Sequence, residues 1–388
     1  MGETMKLSVP QMALRELALS SLASGRSIGQ LIEQDPDNYL ATVNYVLAPQ
    51  INRLGLPEKY NPTPLVLSNG DVIYELTVSQ RCLFYEALGY VEPNLIFSCP
   101  NPGMSGFVLQ TIGNAEEQER FFSHFRQRLC WSCFAMSEPM HGTDAGEMTT
   151  RAIKVDGGWL IRGEKYFIGN GINADIGVVF ARSNDGPLGI NLFLFEPRNV
   201  SGFSATRLPV LGVPGSNISH LVFDDMWLDD DALIGRHLRP VQRFSAAAMN
   251  TFDSLRPCVG SLSLGVARAI VDHVQQAGLL TPSRHREWLQ QAQRRLAAAL
   301  GQLIHCTERV DRGETISRQI GLAKAMATST AESVAEQAVH RCEAGAVLFD
   351  PQLRKLMRDI KGFEYTEGTR NIHFLNACGV FRENKING

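Results

Sequence analysis

Hydrophobic positions along the chain change rhythm twice. Up to about Arg128, apolar residues recur at helical spacing, broken by loops rich in Pro and Gly. The stretch TVSQRCLFYEALGY (77–90) predicts a helix that ends at Leu88-Gly89. NAEEQERFFSHFRQRL (114–129) predicts another, opened by an Asn cap followed by acids. From about Leu129 to Arg236 the rhythm becomes a period-two alternation with turn chemistry. RAIKVDGGWLIRGEKYFIGN (151–170) predicts two strands around an Asp-Gly turn, and DIGVVFAR, INLFLFEP and ISHLVFDDMWL predict further strands. After Gly235, SLGVARAIVDHVQQAGLL, HREWLQQAQRRLAAALGQLIHCTERVDRG and ISRQIGLAKAMATSTAESVAEQAVHRCEAG each keep an apolar stripe near 3.6-residue spacing. The expected architecture is mainly α with a β insert: an N-terminal helical domain (1–128), a middle antiparallel β domain (129–236) and a C-terminal helical bundle (237–388).

At 388 residues and 44% hydrophobic, the chain can bury a large core. Its 37 Lys and Arg against 40 Asp and Glu leave a formal charge of -3, with no sign of a nucleic-acid surface or a polybasic membrane anchor. The eight cysteines are scattered. Cys130 and Cys133 form a CxxC without a second pair or a ligand-spaced histidine nearby, so buried thiols are expected rather than a metal site. The N-terminal residues lack the apolar core of a signal peptide, and no uncharged run reaches membrane-spanning length. A cytoplasmic location is expected.

Two stretches carry candidate chemistry. CFAMSEPMHGTDAGEMTTRA (133–152) gathers Ser137, Thr143 and the small residues Gly142, Ala145 and Gly146 into one loop, where hydroxyls and backbone N–H groups can meet a flat polar ligand. EYTEGTRNI (364–372) sets Glu367 between two threonines and beside a glycine. By position alone, Glu367 reads as an acid at a helix N-terminus, favoured by the macrodipole, or as a catalytic base.

Taken in order with GWLIRGEKYFIGNGINADIGVVFAR (158–182), LVFDDMWLDDDALIG (221–235) and LRKLMRDIKGFEYTEGTRNI (353–372), these stretches resemble the flavin-dependent acyl-CoA dehydrogenase family from about residue 60 onward. The resemblance implies a C-terminal four-helix bundle, with FAD held between it and the β domain. It places Phe134, Met136, Ser137, Gly142 and Thr143 in the flavin-contacting loop, and Phe167 and Gly169 on the strand that packs on the isoalloxazine ring. Gly368 and Thr369 fall near the flavin, Glu367 on the catalytic base, and Arg256 on the helix arginine close to that base. The implied reaction is α,β-dehydrogenation of an acyl thioester, acyl-CoA or acyl-carrier protein. The α-proton goes to Glu367 and the β-hydride to flavin N5, and an acceptor such as an electron-transfer flavoprotein takes the electrons. Some family members carry the base on a bundle helix instead, where this chain has Leu255; the nearest acid, Asp253, is out of register.

The chain also departs from the family pattern. Gly169 replaces a threonine whose hydroxyl bonds flavin N5, which favours as an alternative a flavin oxidase or monooxygenase on the same fold. Pro214 stands where an arginine is usual. The Arg-x-x-Phe-Gly loop and the Gln-x-x-Gly-Gly turn that reach a neighbouring subunit's FAD are replaced by AGLLTPSRHREWLQ (277–290) and HRCEAG (340–345). Weaker FAD retention and a homodimer rather than a tetramer are expected, unless Arg284 or Arg341 takes over the phosphate. A non-catalytic binding homologue is the remaining alternative. Arg284, Arg286, Arg294 and Arg295 are candidates to meet an acidic carrier protein.

Overall fold

The computed structural model describes residues 7–142, 144–186, 189–281 and 285–386, with residues 240, 241, 245, 246 and 380–386 described as backbone. Among the described residues seven α-helices precede the main sheet: α1 (Val9–Ser20), α2 (Leu22–Gln34), α3 (Ala48–Arg53), α4 (Val78–Val91), α5 (Asn94–Ser98), α6 (Gly103–Ile112) and α7 (Ala115–Gln127). A two-stranded ribbon, β1 (Leu65–Val66) and β2 (Val72–Ile73), interrupts them. Thr77 and Gln80 form a capping box that starts α4, and Asn114 with Glu117 does the same for α7. The glycine expected to end α4 lies inside it. A Cβ on Gly89 would collide with the carbonyl of Leu262, so the residue serves close helix packing rather than termination.

The main sheet has seven strands: β3 (Ser132–Ala135), β4 (Arg151–Val155), β5 (Gly158–Ile168), β6 (Ile176–Arg182), β7 (Ile190–Phe195), β8 (Phe203–Arg207) and β9 (Ser219–Asp229). Its order is β3-β6-β4-β5-β9-β8, with β7 off this path and paired antiparallel to β6 over residues 177–182. The Asp156-Gly157 turn joins β4 to β5, and Gly157 has φ +73°. Most pairs are antiparallel, as the alternation implied, but β6 runs parallel to β3 and to β4. After β3 the chain builds the 136–150 loop and the β4–β5 hairpin before returning, so β6 arrives by a crossover rather than a hairpin. Residues 176–182 are buried throughout because the sheet is covered on both faces. Ile176, Val178 and Phe180 pack toward α6 and α7, while Val179 and Ala181 join the second sheet core.

The helices that follow are α8 (Pro240–Gln276), α9 (His285–Asp311), α10 (Ser317–Val339), α11 (Ala346–Phe349), α12 (Pro351–Tyr365) and α13 (Arg370–Ile386). The first bundle helix starts well before its recognisable apolar stripe and runs through Pro257. Helices α8, α9, α10 and α12 pack as the bundle, α13 lies on α10, and α4 of the N-terminal part packs along α8. Among the described residues no helix is long and apolar enough to cross a membrane.

One buried polar network joins all three parts. Lys355 of α12 bonds Glu92, at the end of α4, at 2.7 Å and Asp359 at 2.6 Å. Asp359 also accepts the N–H of Val213 at 2.6 Å. Glu92 accepts from Asn94, whose own side-chain oxygen takes the N–H of Gly215 at 2.7 Å. The flanking carboxylates hold the Lys355 ammonium above its ordinary range despite its burial. Replacing Lys355 with Met strands two buried carboxylates, so Lys355→Met is expected to cost about 3 to 5 kcal/mol. A urea midpoint unchanged from the parent would show that the network does not hold the three parts together.

Candidate active site

The turn between α12 and α13 is built to stop one helix and start another. Glu367 has φ 56° and Gly368 φ 101°. Two successive left-handed residues cannot continue a right-handed helix, and the one at Glu367 costs about 1 to 2 kcal/mol. Two cations hold this strained backbone. Arg256 of α8 donates from Nε to the Glu367 carbonyl at 3.0 Å, while its guanidinium lies 5.0 Å over the Phe252 ring. Lys324 of α10, fully buried, donates to the carbonyls of Gly368 at 2.7 Å and Glu364 at 3.0 Å.

Because both cations bind main-chain oxygens, the Glu367 side chain is left alone. The residue is half-buried, yet its Oε2 is fully buried and has no hydrogen-bond partner. Burial pushes its carboxyl up to about 7, against the opposing pull of Arg256 and Lys324. Burial likewise pushes the Lys324 ammonium down to about 8. Behind the turn stands His373, which burial and the same two cations push down to about 4, leaving it neutral.

Glu367 lines a cavity of about 990 Å³ between the sheet, the bundle and the N-terminal helices. Phe134, Met136, Ser137, Gly142, Phe167, Gly169, Gly368, Thr369 and Arg256 line it too, so the structure brings together every described site residue expected from the sequence. Thr143 lies outside the described residues, as does Arg284. Leu255 lines the cavity, whereas Asp253 does not; its carboxylate is held by the hydroxyl of Ser317. Glu138 is the other acid among the lining residues. It bonds Lys165 at 2.9 Å and accepts backbone N–H groups from Thr149 and Thr150. Burial pushes its carboxyl up, but Lys165 and these donors prevail and hold it at about 2. Glu367 is therefore the one cavity-lining carboxylate without a partner among the described residues.

The Glu138–Lys165 pair also fixes the 136–150 loop. Lys165 donates to the Met136 carbonyl at 2.9 Å, and Tyr166 N–H to the Ser137 carbonyl at 2.8 Å. Beyond this anchor the wall offers open backbone and a bare aromatic face. A Cβ on Gly142 would meet nothing within 4 Å, and one on Gly169 only the Ser216 carbonyl at 3.8 Å. Phe167, at φ 61°, is 65% exposed. A flat ring system with polar edges suits such a wall: an aromatic face for contact, glycines for close approach, and hydroxyl and backbone groups at the edge.

The two stretches that break the family pattern meet each other. Leu280 forms a β-bridge with Cys342, Thr281 N–H donates to the Arg341 carbonyl at 3.0 Å, and Arg341 lies 5.0 Å over the Trp288 ring. Arg341 is thus engaged within its own chain. Cys130 and Cys133 are buried thiols that burial pushes up to about 12, so neither is poised as a thiolate. Lysines 165 and 324 and His373 were not foreseen. The signal available was a lysine standing in the small, apolar run GLAKAMA of α10.

The chain matches the acyl-CoA dehydrogenase middle domain over residues 133–226 and the acyl-CoA dehydrogenase C-terminal domain over residues 245–377. An acyl-CoA dehydrogenase of Bacillus subtilis (strain 168) is 29% identical over 276 residues, 68% of this chain and 72% of that protein. Butyryl-CoA dehydrogenase from Megasphaera elsdenii superimposes with a TM-score of 0.79 at 22% identity, over 97% of this chain and 99% of its own. PigA, solved with FAD and proline, gives 0.80 at 18% identity over 99% and 100%. The chain belongs to the acyl-CoA dehydrogenase family of FAD-dependent oxidoreductases.

The charge of Lys324 pulls the Glu367 carboxyl down. Lys324→Gln removes that charge and keeps a donor for the turn, so the ionisation midpoint of Glu367 should rise above its value near 7. Carbon NMR of labelled glutamate side chains reads the shift; an unmoved or lowered midpoint would contradict the electrostatics described.

Proposed function

We propose that this chain removes the α- and β-hydrogens of an acyl thioester, with Glu367 as the base that takes the α-proton. The observation that carries the reading is the unpartnered Glu367 carboxyl, its Oε2 buried at the cavity wall and its backbone held by cations that do not bind its side-chain oxygens. A carboxyl pushed up to about 7 is a stronger base than an exposed glutamate, and near neutral pH a useful fraction is ionised. Arg256 and Lys324 keep the carboxylate aimed by fixing both carbonyls of the turn. The backbone N–H of Glu367 polarises the thioester carbonyl, whose oxygen gains charge as the α-proton leaves.

The residues lining the wall fit FAD: Phe134, Met136, Ser137, Gly142, Phe167, Gly169, Gly368 and Thr369 would hold it. When bound, FAD supplies a hydride acceptor for the β-carbon. The apolar lining from Phe84, Tyr85, Leu255 and Val259 keeps water away from the carbanion-like centre. The acyl group rides on coenzyme A or on a carrier protein. Of the arginines suggested for a carrier, none of the described ones lines the cavity, so any such surface lies outside it.

The test is anaerobic mixing of FAD-loaded protein with a panel of acyl-CoAs and acyl-carrier proteins, following loss of flavin absorbance. At least one thioester should bleach the flavin. The first-order rate should rise with pH through about 7, because the ionised form of Glu367 is the active one, and level off above. Failure of every thioester, or a rate independent of pH across this range, would remove the reading.

A further inference from the structure

Only two arginines of the described chain are buried: Arg81, 5% exposed, and Arg182, 8% exposed. Their surroundings differ. Arg182 lies away from the cavity and donates to three main-chain carbonyls, those of Met148, Gly186 and Gly146. Arg81 lines the cavity and makes one hydrogen bond, from Nη2 to the Leu76 carbonyl at 3.1 Å. Its guanidinium lies 4.8 Å from the centre of the Phe107 ring. Among the described residues no carboxylate comes within ion-pair distance of it.

Arg81 sits in the second turn of α4, and Tyr85 follows one turn later on the same helix face, also lining the cavity. The charges of both Arg81 and Glu367 act on Tyr85, as they do on Cys258 of α8, so both residues lie within reach of the cation and of the turn that carries the base. The remaining walls here are apolar: Leu76, Phe84, Met104, Phe107 and Val259. A guanidinium whose donors are mostly unmatched costs free energy in such surroundings. A hydrocarbon chain end placed against it adds to that cost, whereas a carboxylate offsets it with paired, charge-assisted hydrogen bonds.

We propose that Arg81, with Tyr85 beside it, forms a carboxylate-binding subsite on the α4 wall of the acyl cavity, so that the substrate is the monothioester of a dicarboxylic acid. This rests on the acyl-thioester reading above and names the class of acyl group. Arg81 is a specificity-determining residue: it takes no part in proton transfer and selects by the charge at the far end of the chain.

The test uses FAD-loaded wild-type protein, Arg81→Met and Arg81→Lys. Each is mixed anaerobically with two coenzyme A thioester series matched in length, one ending in a methyl group and the other in a carboxylate. Wild type is expected to favour the carboxylate series by about a hundredfold in the concentration-normalised rate of flavin reduction. Arg81→Met should reverse the preference, and Arg81→Lys should retain part of it. A wild type that prefers methyl ends, or an Arg81→Met variant with an unchanged ratio, overturns the subsite and leaves the dehydrogenase reading standing. If neither series reduces the flavin, the dehydrogenase reading fails and calorimetric binding of the same thioesters decides the subsite. Affinity for carboxylate ends at least about tenfold higher in wild type than in Arg81→Met supports it; equal affinity overturns it.

Discussion

A buried lysine sets the frame in which the site is built. Lys355 lies where the end of α4, the 213–217 turn of the β domain and α12 meet, and its ammonium joins Glu92 to Asp359. Stripped of water, each of these charges is costly alone and tolerable only together, so the junction resists any sliding of one part past another. At Gly212, which follows β8, a Cβ would collide with the Arg358 carbonyl, so there the two backbones touch without an intervening side chain. Asp359 stands eight residues before Glu367, roughly 12 Å along the helix axis. The register locked at Lys355 is therefore carried by α12 to the turn that holds the carboxylate.

At that turn the same kind of group is used in the opposite way. Lys355 neutralises carboxylates; Arg256 and Lys324 avoid the carboxylate and hold carbonyls. The difference decides the chemistry. A glutamate paired directly with either cation would be a weak base, as Glu138 is beside Lys165, held at about 2. By binding main-chain oxygens the cations supply position, and their through-space attraction only partly offsets the effect of burial on Glu367. Arg81 repeats the theme at another part of the cavity, where among the described residues a cation binds a main-chain carbonyl and no carboxylate.

Much of this was legible in the sequence, and the parts that were not share a physical cause. Helix, strand and helix could be read from periodicity, and Glu367 stood out once the flavin-loop and turn motifs were taken together. Lys355 could not be read, because its partner Glu92 is 263 residues away and a lysine in an amphipathic helix reads as solvated. Lys165 is on strand β5 and its partner Glu138 lies 27 residues away, while Lys324 binds carbonyls 40 and 44 residues on, contacts that local patterning does not encode. Gly89 looked like a helix stop because local rules see a glycine after a leucine, while the contact that demands it comes from α8. The parallel pairing of β3 with β6 depends on a crossover, which strand patterning alone does not encode. The early part of α8 was missed because Pro257 and a mixed polar run interrupt the stripe that marks the rest.

The central claim is that the Glu367 carboxylate takes the proton. Glu367→Gln keeps the shape of the side chain, removes its basicity and leaves the carbonyl contacts with Arg256 and Lys324 in place. In single-turnover anaerobic mixing, with a thioester that bleaches the wild-type flavin, the account predicts reduction slowed by on the order of a thousandfold or more at unchanged FAD content and thermal stability. Reduction at the wild-type rate would contradict it and move the base elsewhere in the cavity.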